Sequence, residues 1–166
     1  NFKFMVTEVI KNRRSVREYK ANEIPEKYIN EIIKAGQFAP SACNNRAVEF
    51  IVIKNQKIKD EIFRIIGQKF IKEAPVLIIP ATDTRKTNFP IQDLSVASEN
   101  MFLEATALGL GTVWKAVSGV WEEKIKELLG VPKEYKIINV IPVGRPKERT
   151  FPHSEADFDP KKIHKE

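Results

Sequence analysis

Apolar and polar positions along this chain follow two different periods, and the changes between them mark the elements. Phe2, Met5, Val6, Val9 and Ile10 recur at helical spacing, which predicts a first helix over residues 2–13. Pro25 opens a second through about Gly36, with Tyr28, Ile29, Ile32 and Ile33 inward. Pro40 to Asn45 reads as a loop, and Glu49 to Ile53 as a strand with a nearly continuous apolar run. A third helix is expected over 56–70, then a buried strand from Val76 to Ala81. The long helix from about Gln92 to Leu108 is apolar around more than one stripe, as a helix covered on several sides or at a subunit contact would be. Gly109-Leu110-Gly111 ends it, and Thr112 to Trp114 can form a short strand. A small helix over 121–129 and a last strand from Ile137 to Val143 complete the core. The tail from Arg149 is polar, yet carries Phe151 and Phe158, which need a surface to cover them.

The order is mixed, with no regular alternation of strand and helix. No Gly-x-Gly-x-x-Gly follows a strand and there is no phosphate-binding Walker loop, which disfavours the common dinucleotide and nucleoside-triphosphate folds. The 166 residues suffice for one domain, 1–166, with no repeat or linker. No apolar run reaches the roughly 20 residues of a membrane span, and the N-terminal residues lack the layout of a secretory signal. A single cysteine, Cys43, excludes an internal disulfide, and a cytoplasmic location is expected. The net charge of +6 favours anionic ligands. Much of the excess is lysine scattered on helix faces, and no strand mixes aromatic with basic residues, so nucleic acid is not the expected partner.

Four runs could carry chemistry. Arg13-Arg14-Ser15-Val16-Arg17 places three guanidiniums and a hydroxyl within five residues, a compact receptor for phosphate oxygens. A helix C-terminus would by itself explain one or two of those arginines but not Ser15. Pro40-Ser41-Ala42-Cys43-Asn44 is small enough to let a flat ligand reach the backbone, and also reads as an ordinary helix exit. Gly109 to Trp114 and Gly144-Arg145-Pro146, with Arg149 beyond, are likewise either contact points or a cap and a turn. Catalytic side chains of the usual kinds are missing. His153 and His164 both lie in the polar tail without paired ligands, so neither a metal site nor a catalytic residue is assigned. Cys43 has no histidine nearby in sequence. Any enzyme built this way takes its chemistry from a cofactor.

Together the four runs resemble the FMN-dependent nitroreductases. That family opens with Arg-Arg-Ser-x-Arg, here Arg13 to Arg17, and continues with Ala-Pro-Ser-x-x-Asn, here Ala39 to Asn44. Its long helix carries Asp, Ala and Asn before Ala-Leu-Gly-Leu-Gly; here Asp93, Ala97 and Asn100 precede Ala107 to Gly111, and Trp114 follows. A hydrophobic strand ending in Gly-x-Pro matches Val140 to Pro146. The chain departs from the pattern at Cys43, often glycine; at Asn45-Arg46-Ala47-Val48, where many members have x-Gln-Pro-Trp; and at Lys115, where an apolar residue is commoner.

The resemblance implies an α+β fold, a mostly antiparallel sheet flanked by helices, in an intertwined homodimer with FMN at the interface. It implies that Arg13, Arg14, Ser15 and Arg17 grip the phosphate and ribityl end, with Arg145 and Arg149 adding charge. Pro40, Ser41, Ala42 and Asn44 would line the isoalloxazine from the other subunit, and backbone amides at Ala116 and Val117 would face the N5 edge. Residues 150–166 are expected to extend over the partner. NADH or NADPH would reduce the flavin, and a nitroaromatic, quinone or similar small molecule would reoxidise it. The alternative is a flavin-binding or storage protein without NAD(P)H turnover; a dehalogenase or ring-cleaving relative would need a lid for which 70–93 leaves little length.

Overall fold

The computed structural model describes residues 6–166; the expected helical positions Phe2 and Met5 lie outside them. Its centre is β2 (Val76–Asp83), buried along its whole length. Neighbouring side chains of a strand point to opposite faces, and β2 is apolar on both. Leu77, Ile79 and Ala81 enter one core with Ile62, Ile66, Phe70, Ile71 and Ile125, whereas Val76 and Ile78 enter another with Ile29, Ile32, Met101 and Phe102. The continuous apolar runs of the sequence therefore reflect a sheet covered on both sides.

On one side of β2 lies β1 (Val48–Ile53) and on the other β6 (Asn139–Gly144), followed by β3 (Gly111–Thr112). Two short strands, β4 (Lys115–Ala116) and β5 (Tyr135–Lys136), pair with β6 and β2. Every pairing between these strands is antiparallel. The α1 helix (Glu8–Asn12) is shorter than expected. Helices α2 (Glu26–Gln37) and α5 (Pro90–Ala107) cover one face of the sheet. The other is covered by α3 (Gln56–Ile66), α4 (Phe70–Glu73) and α6 (Val120–Leu129).

The helix expected over 56–70 is two. Gly67 takes φ 81°, a left-handed cap that ends α3, and α4 starts three residues later. The apolar spacing runs across the break because both pieces pack on the same core, so period alone does not reveal it.

Helix α5 sets the geometry of the site. Pro90 stands at its first turn, where a missing N–H costs nothing. At its other end Leu110 N–H donates to Ala105 O (2.8 Å) and Gly109 adopts φ 71°, a glycine cap that turns the chain into β3. One face is buried through Leu94, Ala97, Met101 and Ala105. The other leaves Ile91 and Val96 exposed, beside Phe89. No helix of the described residues is long and apolar enough to cross a membrane.

Candidate functional site

Residues 13–20 run as a strip along the sheet edge. Arg13 ends α1, its half-buried guanidinium 3.9 Å from the Glu99 carboxylate on α5. Ser15 then bridges Thr112 of β3, and Val16 N–H donates to Thr112 O at 2.8 Å. Gly111 permits this approach, because a Cβ there would meet the Val16 side chain at 2.6 Å. Tyr19 bridges Pro146, and main-chain bonds tie Lys20 N–H to Arg145 O (2.9 Å) and Lys147 N–H to Glu18 O (3.0 Å). The buried Tyr19 hydroxyl donates to Val16 O, closing the strip on itself.

Burying Val16 and Tyr19 leaves Ser15 and Arg17 on the outer side, where Arg145 and Arg149 are also exposed. Among the described residues none of these three arginines has a carboxylate partner. The strip therefore presents cations and a hydroxyl with their donors available. Arg14 is turned elsewhere: its guanidinium donates to Phe151 O (3.0 Å), and beside it His153 N–H donates to Lys11 O (2.9 Å). Of the expected phosphate set, Arg14 thus also touches the tail, through one of its guanidinium nitrogens.

The chain continues from β3 to β4. Val117 N–H donates to Ile138 O at 2.9 Å, so this amide, expected at a flavin edge, is already committed to the sheet. Antiparallel bonding alternates along a strand, so the Ala116 N–H points away from β6. Ala116 is exposed and its amide remains available.

The second half of the site is the loop 40–46. A 3-10 turn spans Ala42–Asn44, and Cys43, Asn44 and Arg46 adopt φ 51°, 53° and 50°. For residues with a side chain this region is strained and persists only where surrounding contacts impose it. Asp93, in the first turn of α5 and almost wholly buried, imposes it here. Its carboxylate accepts from Ala42 N–H (2.8 Å), Asn45 Nδ2 (3.2 Å) and the Thr87 hydroxyl (2.6 Å). Burial alone would raise the Asp93 pKa; the donors from Thr87, Ala42 and Asn45 outweigh it and hold the group below the usual carboxylate range. Ser41 Oγ accepts from Arg46 N–H (3.0 Å), and Asn45 Oδ1 from Ala47 N–H (2.9 Å). Pro40, Cys43 and Asn44 are left exposed and Ser41 and Ala42 half-buried.

Among the described residues no hydrogen bond or ion pair joins strip to loop within one chain. The loop is tied to Asp93 at the start of α5, and the strip to Thr112 just beyond its end. From Asp93 to Leu108 the axis rises about 22 Å at ~1.5 Å per residue. Asp93 is the residue that sequence reasoning gave no role. Its signal was its place in the family pattern of the long helix, as the Asp before Ala97 and Asn100, which marks the position but not the contact it makes. Among the described residues no three His, Cys, Asp or Glu side chains converge as a metal site would require.

Comparison with known proteins matches the nitroreductase family profile over residues 10–72 and 63–145. The chain belongs to the nitroreductase family. A protein of Methanothermobacter thermautotrophicus, provisionally named NADH dehydrogenase/NAD(P)H nitroreductase, is 38% identical over 99% of this chain and 88% of its own length. FMN reductase [NAD(P)H] of Bacillus subtilis is 29% identical over 87% of this chain and 68% of its own. Among solved structures, an FMN-dependent nitroreductase of Clostridium difficile superposes with a TM-score of 0.88, at 31% identity over 94% of this chain and 96% of that one. For this nitroreductase the fold matches the expectation of an antiparallel sheet flanked by helices.

Proposed function

We propose that this nitroreductase binds FMN at two equivalent sites of a homodimer and uses NADH or NADPH to reduce small acceptors such as nitroaromatics or quinones. The observation that carries this reading is the division of the site. A cationic strip that runs from Arg13, beside Glu99 at the middle of α5, to Ser15 at β3, and a small-residue loop at the start of α5 are both suited to one flavin and make no hydrogen bond or ion pair with each other among the described residues. A second copy related by a twofold axis brings the strip of one chain to the loop of the other. The exposed Phe89, Ile91 and Val96 beside the loop, and Phe151, Phe158 and Ile163 in the tail, supply apolar surface for that contact. Residues 150–166, held to their own chain at Phe151 and His153, would extend from there over the partner, and residues 1–166 act as one domain. A cytoplasmic location agrees with the single exposed cysteine.

The residues present fit FMN. Ser15, Arg17 and Arg145 would hold the phosphate, with Arg13 at the ribityl side and Arg149 adding charge. Arginine forks match phosphate oxygens, and these have no competing carboxylate except Glu99 beside Arg13. Pro40, Ser41, Ala42 and Asn44 of the partner would lie against the ring, where their small side chains allow close approach. The exposed Ala116 N–H would donate to the ring edge, favouring negative charge that develops there. Bound FMN would supply the redox chemistry, taking a hydride from the nicotinamide and passing electrons to the acceptor. The protein orients, and protons would come from solvent or the donor; His153 is tied to Asp157 in the tail (3.3 Å).

The test is the visible spectrum of the purified protein followed by NADH and NADPH oxidation with a nitroaromatic acceptor. Bound flavin with turnover is the expected result. Flavin without turnover would make it a storage protein, and absence of flavin affinity would overturn the reading.

A further inference from the structure

Arg46 and Val48, from the segment Asn45-Arg46-Ala47-Val48 that departs from the family pattern, border a cavity of about 280 Å³ beneath the loop. This lies just below the ~300–1,000 Å³ range of ligand sites, which restricts an occupant to about one ring. Phe38, Val48 and Ala97 give it an apolar wall, and Phe38 is 76% exposed, more than any other large apolar side chain among the described residues. Ser41 and Arg46 stand opposite in chemistry.

Arg46 is held in an unusual way. Its backbone takes φ 50° with its N–H on Ser41 Oγ, and its Nε donates to Asn44 Oδ1 at 3.1 Å. Among the described residues the two Nη nitrogens have no partner and no carboxylate pairs with the guanidinium. The side chain is thus pinned at one corner with the rest of its fork available. Asp93 also borders the cavity, but its oxygens are taken by Ala42, Asn45 and Thr87, so it neither pairs with Arg46 nor offers an unsatisfied charge inward.

We propose that this cavity is a substrate subsite for a planar, single-ring acceptor bearing a carboxylate, with Arg46 pairing the carboxylate and Phe38 covering the ring. The proposal rests on the flavin reading above, because the cavity shares Pro40 and Ser41 with the loop assigned to the isoalloxazine. A guanidinium with its two terminal nitrogens available matches a carboxylate in bidentate fashion, and a neutral analogue of the same shape loses that pairing.

The experiment uses the FMN-loaded protein and measures dissociation constants calorimetrically for 4-nitrobenzoate and 4-nitrobenzamide. The wild type is expected to favour the carboxylate by roughly ten- to a hundredfold, the range of a charge-assisted pairing. In Arg46→Gln the two constants should become equal, whereas Arg46→Lys should keep part of the preference. Phe38→Ala should weaken both probes alike. Equal affinities in the wild type, a preference surviving in Arg46→Gln, or indifference to Phe38→Ala would overturn the subsite, including the case where a second copy fills the cavity. Failure to take up FMN at all would be visible in the spectrum before any probe is added, and would overturn the flavin reading instead.

Discussion

The two halves of the site are built on opposite principles. The strip at 13–20 is held largely by main-chain hydrogen bonds, to Thr112, Arg145 and Lys147, which depend little on side-chain identity. Its arginines can therefore change without moving the backbone that carries them. The loop at 40–46 holds three residues with side chains at positive φ and is tied down by one carboxylate, Asp93, through Ala42 and Asn45, with Thr87 holding the carboxylate itself. Binding at the strip should be separable from stability, and binding at the loop should not.

The largest effect is expected from Asp93→Ala. It removes the acceptor of three hydrogen bonds in a buried place and should destabilise the fold by about 3 kcal/mol, with FMN affinity falling alongside. Denaturant unfolding with and without FMN checks both. Arg17→Ala should leave the unfolding midpoint nearly unchanged and weaken FMN by roughly one to two orders of magnitude, with little effect on riboflavin, which lacks the phosphate. Equal losses for the two ligands would remove the strip from the phosphate. Gly111→Ala would break the separation on purpose. Its Cβ pushes on Val16, so it should cost about 1–3 kcal/mol and lower FMN affinity through the displaced backbone.

Acid sharpens the same contrast. The folded state holds Asp93 below its ordinary pKa, so its contribution is complete above pH ~4 and is lost as pH falls through the lowered value. Asp93→Asn should flatten that part of the stability profile, whereas Arg17→Ala should leave its shape unchanged. The smallest effect is at Cys43. Cys43→Gly relieves φ 51° and should change stability by less than about 1 kcal/mol, and Cys43→Ser should retain most activity. Loss of turnover in Cys43→Ser with FMN still bound would add a thiol step to the mechanism.

The comparison also shows what the sequence makes legible. Buried strands with apolar residues on both faces, such as Val76 to Ala81, and the glycine-capped end of α5 announce themselves through local rules. So do the motifs at 13–17 and 40–44. What stays hidden depends on partners distant in sequence. Arg14 sits among arginines, and nothing local announces its bond to Phe151 O, 137 residues away. The Val117 amide is committed by a strand pairing with Ile138 that no periodicity encodes. Asp93 acts through Ala42 and Asn45, which a reading along one helix never brings together.

The central claim is that each flavin takes its strip from one chain and its loop from the other. Complementation tests it most directly. Arg17→Ala damages the strip, and Asn44→Asp sets a negative charge against the ring; each homodimer should bind FMN poorly. A heterodimer of the two variants contains one site with both lesions and one with neither. Mixing and reassociating equal amounts should restore tight FMN binding to roughly one site in four. Verified heterodimers that bind no better than the parents would place strip and loop of the same chain at one flavin, and would contradict the account.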